Sequence, residues 1–112
     1  MKLYHNPSCM KSREARKLLE EEGAIFDVID YQKNPLTHEE LSALIKKLGI
    51  APKELIRKNE GVFKEFYKGK DLDGDQWIDA MIKYPKLMER PILANDKKAV
   101  IGRPPANVLQ LI

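Results

Sequence analysis

Two rhythms of apolar residues alternate along the chain, and each change of rhythm marks a new element. The opening Lys2-Leu3-Tyr4-His5 is short and β-prone, and Asn6-Pro7 breaks it. From about Cys9 to Glu22 the small and apolar positions Ala15, Leu18 and Leu19 recur at helical spacing, and Gly23 suits the C′ position that ends a helix. Ala24-Ile25-Phe26-Asp27-Val28-Ile29-Asp30-Tyr31 is nearly continuous in its apolar character, which predicts a second strand buried on both faces. Strand, helix and strand in so short a span read as a βαβ unit with parallel strands and a right-handed crossover.

Asn34-Pro35 closes that unit. Thr37 followed by Glu40 is a capping box that opens a helix with Leu41, Leu44, Ile45 and Leu48 on one face, stopping at Gly49. Ala51-Pro52 starts a short helix that carries Leu55-Ile56-Arg57-Lys58 and ends near Asn59. Residues 61–72 read as irregular, anchored by Val62, Phe63, Phe66 and Tyr67. Asp75–Tyr84 is a further helix, ended by Pro85, and Pro85-Lys86-Leu87-Met88 adds one more turn. Ile92-Leu93-Ala94 and Ala99-Val100-Ile101, joined by the polar Asn95-Asp96-Lys97-Lys98, form an antiparallel hairpin. Gly102-Arg103-Pro104-Pro105 leads into a last helix with Val108, Leu109 and Ile112 facing inward. The order β-α-β, helical block, β-β-α predicts an α/β thioredoxin-like fold. It has a mixed four-stranded sheet and a helical insertion at about 36–88, in a single domain over 1–112.

Composition narrows the function classes. Apolar residues make up 43% and charged residues 33%, as in an ordinary globular domain. The net charge of +3 comes from 20 basic residues interleaved with 17 acids, so no basic stripe invites nucleic acid. A single cysteine excludes an internal disulfide and a Cys-rich zinc site, and no metal is expected. The first residues lack a secretory apolar core, and no apolar run is long enough to span a bilayer. Together with an unpaired thiol, this points to a cytoplasmic protein with no membrane partner.

The chemistry centres on that cysteine. Ser8 is placed to be an N-cap, which puts Cys9 in the first helical turn, where the positive helix end favours thiolate over thiol. A lone cysteine is more often a buried structural residue, but Asn6, Pro7, Ser8, Met10 and Lys11 make loop-like flanks that favour a reactive one. Arg57 lies near the end of the short helix, Arg90 directly precedes Pro91, and Arg103 directly precedes Pro104. In a thioredoxin-like layout the loop before the third strand faces the first helix's N-terminus, and Arg90-Pro91 is a candidate cis peptide there. If the insertion folds back, Arg57 and Arg103 reach the same place, giving three guanidiniums around a thiolate, which is an oxyanion site. A single arginine beside a turn is more often solvated; here each of the three lies near a structural breaker. His5 has two readings of equal weight: a partner that helps hold the thiolate, or a partly buried aromatic ending its strand. His38 reads as an ordinary helix-face residue. Asp71-Leu72-Asp73-Gly74-Asp75 resembles part of a calcium loop, but its glycine and closing glutamate are misplaced, leaving a turn and helix cap. Tyr31, Phe63, Phe66 and Trp77 read as packing residues, not a base-stacking set.

His5-Asn6-Pro7-Ser8-Cys9-Met10-Lys11-Ser12-Arg13 resembles the active-site loop of the ArsC family of glutaredoxin-coupled arsenate reductases. The similarity continues through Leu55-Ile56-Arg57-Lys58-Asn59, Glu89-Arg90-Pro91-Ile92 and Gly102-Arg103-Pro104. The cysteine loop and Arg-Pro-Ile are shared with a wider group that includes Spx-type transcription regulators, which bind RNA polymerase. Ser12, standing where Spx-type proteins usually carry a second cysteine, and the retained Arg103 favour the enzyme. The resemblance implies catalytic Cys9, oxyanion-binding Arg57, Arg90 and Arg103, and supporting His5, Asn6, Ser12 and Pro91. It implies arsenate or a similar oxyanion as substrate, no bound cofactor, and glutathione and glutaredoxin as the external reducing partners. Two alternatives stay open: a glutathione-dependent thiol reductase of another substrate, and an Spx-type regulator.

Overall fold

Leu3 and Tyr4 point to opposite faces of β1 (Lys2–His5) and both are buried, so this strand belongs in the interior of a sheet. The computed structural model, which describes residues 1–112, places it there: the sheet has four strands in the order β2-β1-β3-β4. β2 (Asp27–Asp30) runs parallel to β1, with Lys2 opposite Asp27 and His5 opposite Asp30. β3 (Ile92–Ala94) is antiparallel to β1, and β4 (Ala99–Ile101) is antiparallel to β3. This mixed sheet, with a helix after β1 and another after β4, is the thioredoxin-like order.

The chain divides into two compact units, Met1–Asn34 with Arg90–Ile112, and Pro35–Glu89. In the first, α1 (Met10–Glu21) lays Ala15 and Leu19 against Leu3, Leu93 and Val108, all with no exposed surface. Burying a leucine or valine of this kind stabilises the fold by roughly 1.5–3 kcal/mol each before the entropy cost.

Three expectations for this unit need correction. The second strand is shorter than Ala24–Tyr31 and is not buried on both faces; β2 is an edge strand, with Val28 38% and Ile25 89% exposed. An apolar run does not distinguish a central strand from an edge one; the pairing order does. The last helix is a 3-10 helix, Pro105–Leu111, so its inward residues repeat every three positions. Pro105 and Val108 are buried and Leu111 packs on the core, while Leu109 is only half-buried and Ile112 is half exposed. The first helix begins at Met10, and Cys9, not Ser8, is its N-cap residue.

In the second unit, α2 (His38–Leu48) has the Thr37–Glu40 capping box and ends at Gly49 in the left-handed region, φ 70°. Its inward residues are Leu41, Leu44 and Ile45. α3 (Gly74–Lys83) is capped reciprocally by Asp73 and Gln76, so the aspartate-rich run is the helix cap. The short helix after Ala51 stops at Leu55. Ile56 leaves it to pair with Met88, and the Arg57 and Glu89 amides donate to Leu87 and Leu55 at 2.7 and 2.9 Å. Arg57 therefore extends from an antiparallel bridge and not from a helix end. Residues 61–72 are not wholly irregular: Phe63–Tyr67 forms one π-helical turn, with Phe63 stacked on buried Trp77 at 6.2 Å. Phe66 is 45% exposed and stacks on Tyr84 instead of anchoring a core. No helix is long and apolar enough to cross a membrane.

Candidate active site

The alternation of β1 that buries Leu3 also carries His5 to the same face, beside the first turn of α1. His5 is 3% exposed, and its Nδ1 lies 2.6 Å from the hydroxyl oxygen of fully buried Ser12. The same oxygen accepts the Asn6 amide at 3.0 Å. Asn6 then closes the turn: its carbonyl accepts the Cys9 amide and its Oδ1 accepts the Ser8 amide, each at 3.0 Å. That turn encloses Ser8, which explains why the helix opens one residue later than the sequence suggests. Arg13 fastens the outer side by donating to the Pro7 carbonyl at 3.0 Å.

Cys9 is thus held at the N-cap with its thiol half-buried. Burial pushes its pKa up, but the Ser12 amide, the hydrogen bond and charge of the Arg90 guanidinium, and the Lys11 amide together hold it below the ordinary thiol value. The sulfur makes no side-chain cap bond of ordinary geometry; the amides that face it favour its charged form. The rest of α1 reinforces this polarity. Its first turn has no acid but carries Lys11 and Arg13, and its last turn has no base but carries Glu20 and Glu21. Each of these charges is opposite to what the helix macrodipole prefers, so positive potential accumulates where the sulfur sits. His5 loses basicity through burial first and then through the Arg16 charge, partly offset by Asp30, with a smaller lowering from Arg13, so its neutral form is favoured.

Arg90 precedes Pro91 across a cis peptide bond, and Arg103 precedes Pro104 across another that the sequence reading did not anticipate. Arg103 is exposed and donates through Nη1 to the Arg90 carbonyl at 3.4 Å. Pro91 is buried, and its carbonyl accepts the Gly102 amide at 2.8 Å. Within the first unit, then, Cys9, His5, Asn6, Ser12, Arg90, Pro91 and Arg103 form one hydrogen-bonded neighbourhood. Arg57 belongs to the second unit, where its Nε lies 3.5 Å from Glu60 and its Nη1 4.0 Å from Glu89.

Two participants were missed. Arg16 contributes to the potential at His5; its signal was the acid-free start of α1. Gly102 faces Pro91 so closely that a Cβ there would sit 2.8 Å from the proline ring and 3.0 Å from Val108. Nothing in a lone glycine of a Gly-Arg-Pro run announces that closeness. No three His, Cys, Asp or Glu side chains converge as a metal-binding group.

Residues 4–111 match the ArsC family. The chain is 43% identical over 114 residues to the Escherichia coli protein YfgD, covering all of this chain and 96% of that one. It is 38% identical over 110 residues to the arsenate reductase of Neisseria meningitidis, covering 96% and 94% of the two chains. Among solved structures, the arsenate reductase from Vibrio cholerae matches with a TM-score of 0.94 and 40% identity, covering 100% of this chain and 98% of that one.

Proposed function

The chain belongs to the ArsC family, and from that premise we propose that it is an arsenate reductase working through Cys9. The observation that carries this reading is the sulfur itself, at the positive end of α1 with Arg90 and two backbone amides favouring the thiolate. Arsenate presents the tetrahedral anionic oxygens that guanidiniums and helix-start amides bind. Arg90 and Arg103 are the cations of the first unit assigned to it; Arg57 is assigned as the third on its family resemblance.

The Cys9 thiolate attacks arsenic, forming the S–As bond as a protonated arsenate oxygen leaves as water; arsenic remains pentavalent at this stage. Fixed positive charge stabilises the anion through that step. The chain has no second cysteine, so the electron pair must come from outside. Two external thiols, glutathione and then glutaredoxin, become one disulfide as arsenic takes two electrons and leaves as arsenite, and Cys9 returns as thiolate. Overall, arsenate and two thiols yield arsenite, a disulfide and water.

The test is arsenate-dependent NADPH oxidation in an assay coupled through glutathione, glutaredoxin and glutathione reductase, run beside a panel of disulfides. Wild type should respond to arsenate and Cys9→Ser should not. Turnover surviving in Cys9→Ser, or turnover of disulfides but not of arsenate, would overturn the reading.

A further inference from the structure

Arg57 reaches its place in the second unit by backbone pairing, and two acids arrive with it. Ile56 bridges Met88, the Arg57 amide donates to Leu87 and the Glu89 amide to Leu55, so positions 57 and 89 lie diagonally across one antiparallel bridge. The Glu60 amide donates to the Arg57 carbonyl at 3.2 Å, and that turn brings a second carboxylate back to the same guanidinium. Glu60 Oε1 lies 3.5 Å from the Arg57 Nε, and Glu89 Oε2 lies 4.0 Å from its Nη1. The three side chains, Arg57, Glu60 and Glu89, are 19%, 25% and 27% exposed, so water and salt screen their charges only in part.

These separations make ion pairs and not hydrogen bonds. The Arg57 Nε is buried with no hydrogen-bond partner, so the carboxylates offset its charge without satisfying that donor. Two negative groups against one positive group make a poor receptor for a bare dianion, and an unsatisfied guanidinium donor still calls for an acceptor. A ligand that answers both brings acceptor oxygens for Arg57 and a hydrogen of its own for a carboxylate. A tetrahedral oxyanion that keeps one O–H is such a ligand: hydrogen arsenate and hydrogen phosphate have that group, and sulfate near neutral pH does not. Both glutamates have other interactions that hold them in the fold, and an ionised carboxylate, with about four lone-pair sites, has capacity for a further donor.

We propose that Glu89 is a specificity-determining residue for the anion that Arg57 receives: it accepts the O–H of a protonated oxyanion whose other oxygens take hydrogens from the guanidinium. Glu60, on the buried Nε, holds the charge balance that turns fully deprotonated dianions away. The retained O–H also suits the chemistry, because a protonated oxygen is the one that leaves as water when sulfur attacks. In the chain Glu89 directly precedes Arg90, whose guanidinium acts on the Cys9 thiol, so the group that reads the proton and the group that acidifies the thiol are sequence neighbours. This deepens the arsenate-reductase reading and rests on it for Arg57 meeting the substrate, though the binding comparison itself does not depend on turnover.

Hydrogen phosphate, monofluorophosphate and sulfate are the probes: at mildly alkaline pH all three are tetrahedral dianions, and only the first carries an O–H. They are titrated into the full chain at constant ionic strength and followed through the Arg57 and Glu89 amide resonances. Phosphate should bind about tenfold tighter than either of the others, the worth of one hydrogen bond to a charged group. Glu89→Gln should remove that preference by strengthening monofluorophosphate and sulfate, whereas Glu60→Gln should strengthen all three anions and keep the preference. The wild-type comparison stands even where a variant does not fold. Equal affinity for phosphate and monofluorophosphate in the wild type overturns the proposal, as does the absence of binding. So does Glu89→Gln weakening all three anions with their ratio kept, which would mean a structural role only. A protein that prefers phosphate through Glu89 yet ignores arsenate keeps the proton reader and loses the arsenate reading. One that reduces arsenate while phosphate and sulfate inhibit it equally does the reverse.

Discussion

α1 and α2, of 12 and 11 residues, are built to opposite rules. α2 has a reciprocal cap, acids Glu39 and Glu40 in its first turn, bases Lys46 and Lys47 in its last, and a left-handed glycine to finish. α3 has the same features at its start, with Asp73, Gln76 and Asp75, and Lys83 at its end. α1 has no side-chain cap and both ends carry the wrong charge; its Arg16–Glu20 and Lys17–Glu21 pairs run in the less favourable order, base before acid. A missing cap costs about 0.5–2 kcal/mol and each misplaced charge about 0.3–1 kcal/mol. The helix that is worst designed for its own stability is the one that ends on the sulfur. The Cys9 thiolate is the negative group that its first turn otherwise lacks, so local instability and thiol acidity have one origin.

The largest effect expected from disturbing this contrast is at Arg90. Arg90→Ala should lower kcat/KM for arsenate on the order of a hundredfold, as for removal of one preorganised donor. It should also move the pH midpoint of iodoacetamide reaction with Cys9 upward; an unmoved midpoint would take Arg90 off the sulfur. The sign extends to stability. A lowered thiol pKa adds stability that is fully present above the unfolded value and is lost as pH falls through the folded one. The wild type should therefore gain on Cys9→Ser as pH rises across that window, and gain less in the Arg90→Ala background. Ser12→Ala comes next, because it strips a partner from both His5 and the Asn6 amide in a fully buried place. A loss of about 1–3 kcal/mol in urea unfolding is expected, and a loss under a few tenths would show the network to be idle. In α2, Thr37→Ala should cost about 1 kcal/mol and leave the iodoacetamide profile where it was. The smallest effect sharpens the comparison most. Met10→Glu, at an exposed first-turn position, should stabilise the protein by about 0.3–1 kcal/mol while raising the Cys9 pKa. Stabilisation without that rise would separate the two properties claimed to be linked.

Legibility followed the range of the forces involved. Thr37, Glu40 and Gly49 mark α2 because capping is local, and the hairpin from Ile92 to Ile101 was readable for the same reason. The edge position of β2 was not, because Val28 and Ile29 look alike whether a neighbour strand flanks them on one side or two. Val108 was legible as core while Leu109 and Ile112 were misassigned, since the sequence does not reveal that the final helix winds with a period of three. At the site, Cys9, Arg90 and Pro91 stood out as rare chemistry beside a breaker. The roles of Ser12 and Asn6 emerged only when the turn was closed, for they act through bonds across several residues. His5 is a buried ring hydrogen-bonded to Ser12, the residue whose amide faces the sulfur, and it is not itself among the groups acting on Cys9.

Gly102 carries a last consequence. With Pro91 on one side and Val108 on the other, it leaves no room for even a methyl group between the centre of the fold and the proline that follows Arg90. The backbone behind this chemical edge therefore has no slack: any side chain at position 102 must push on Pro91, on Val108 or on both. Efforts to retune the thiol should work from the solvent-facing residues of the first helix, because a larger residue at position 102 presses on the proline next to Arg90.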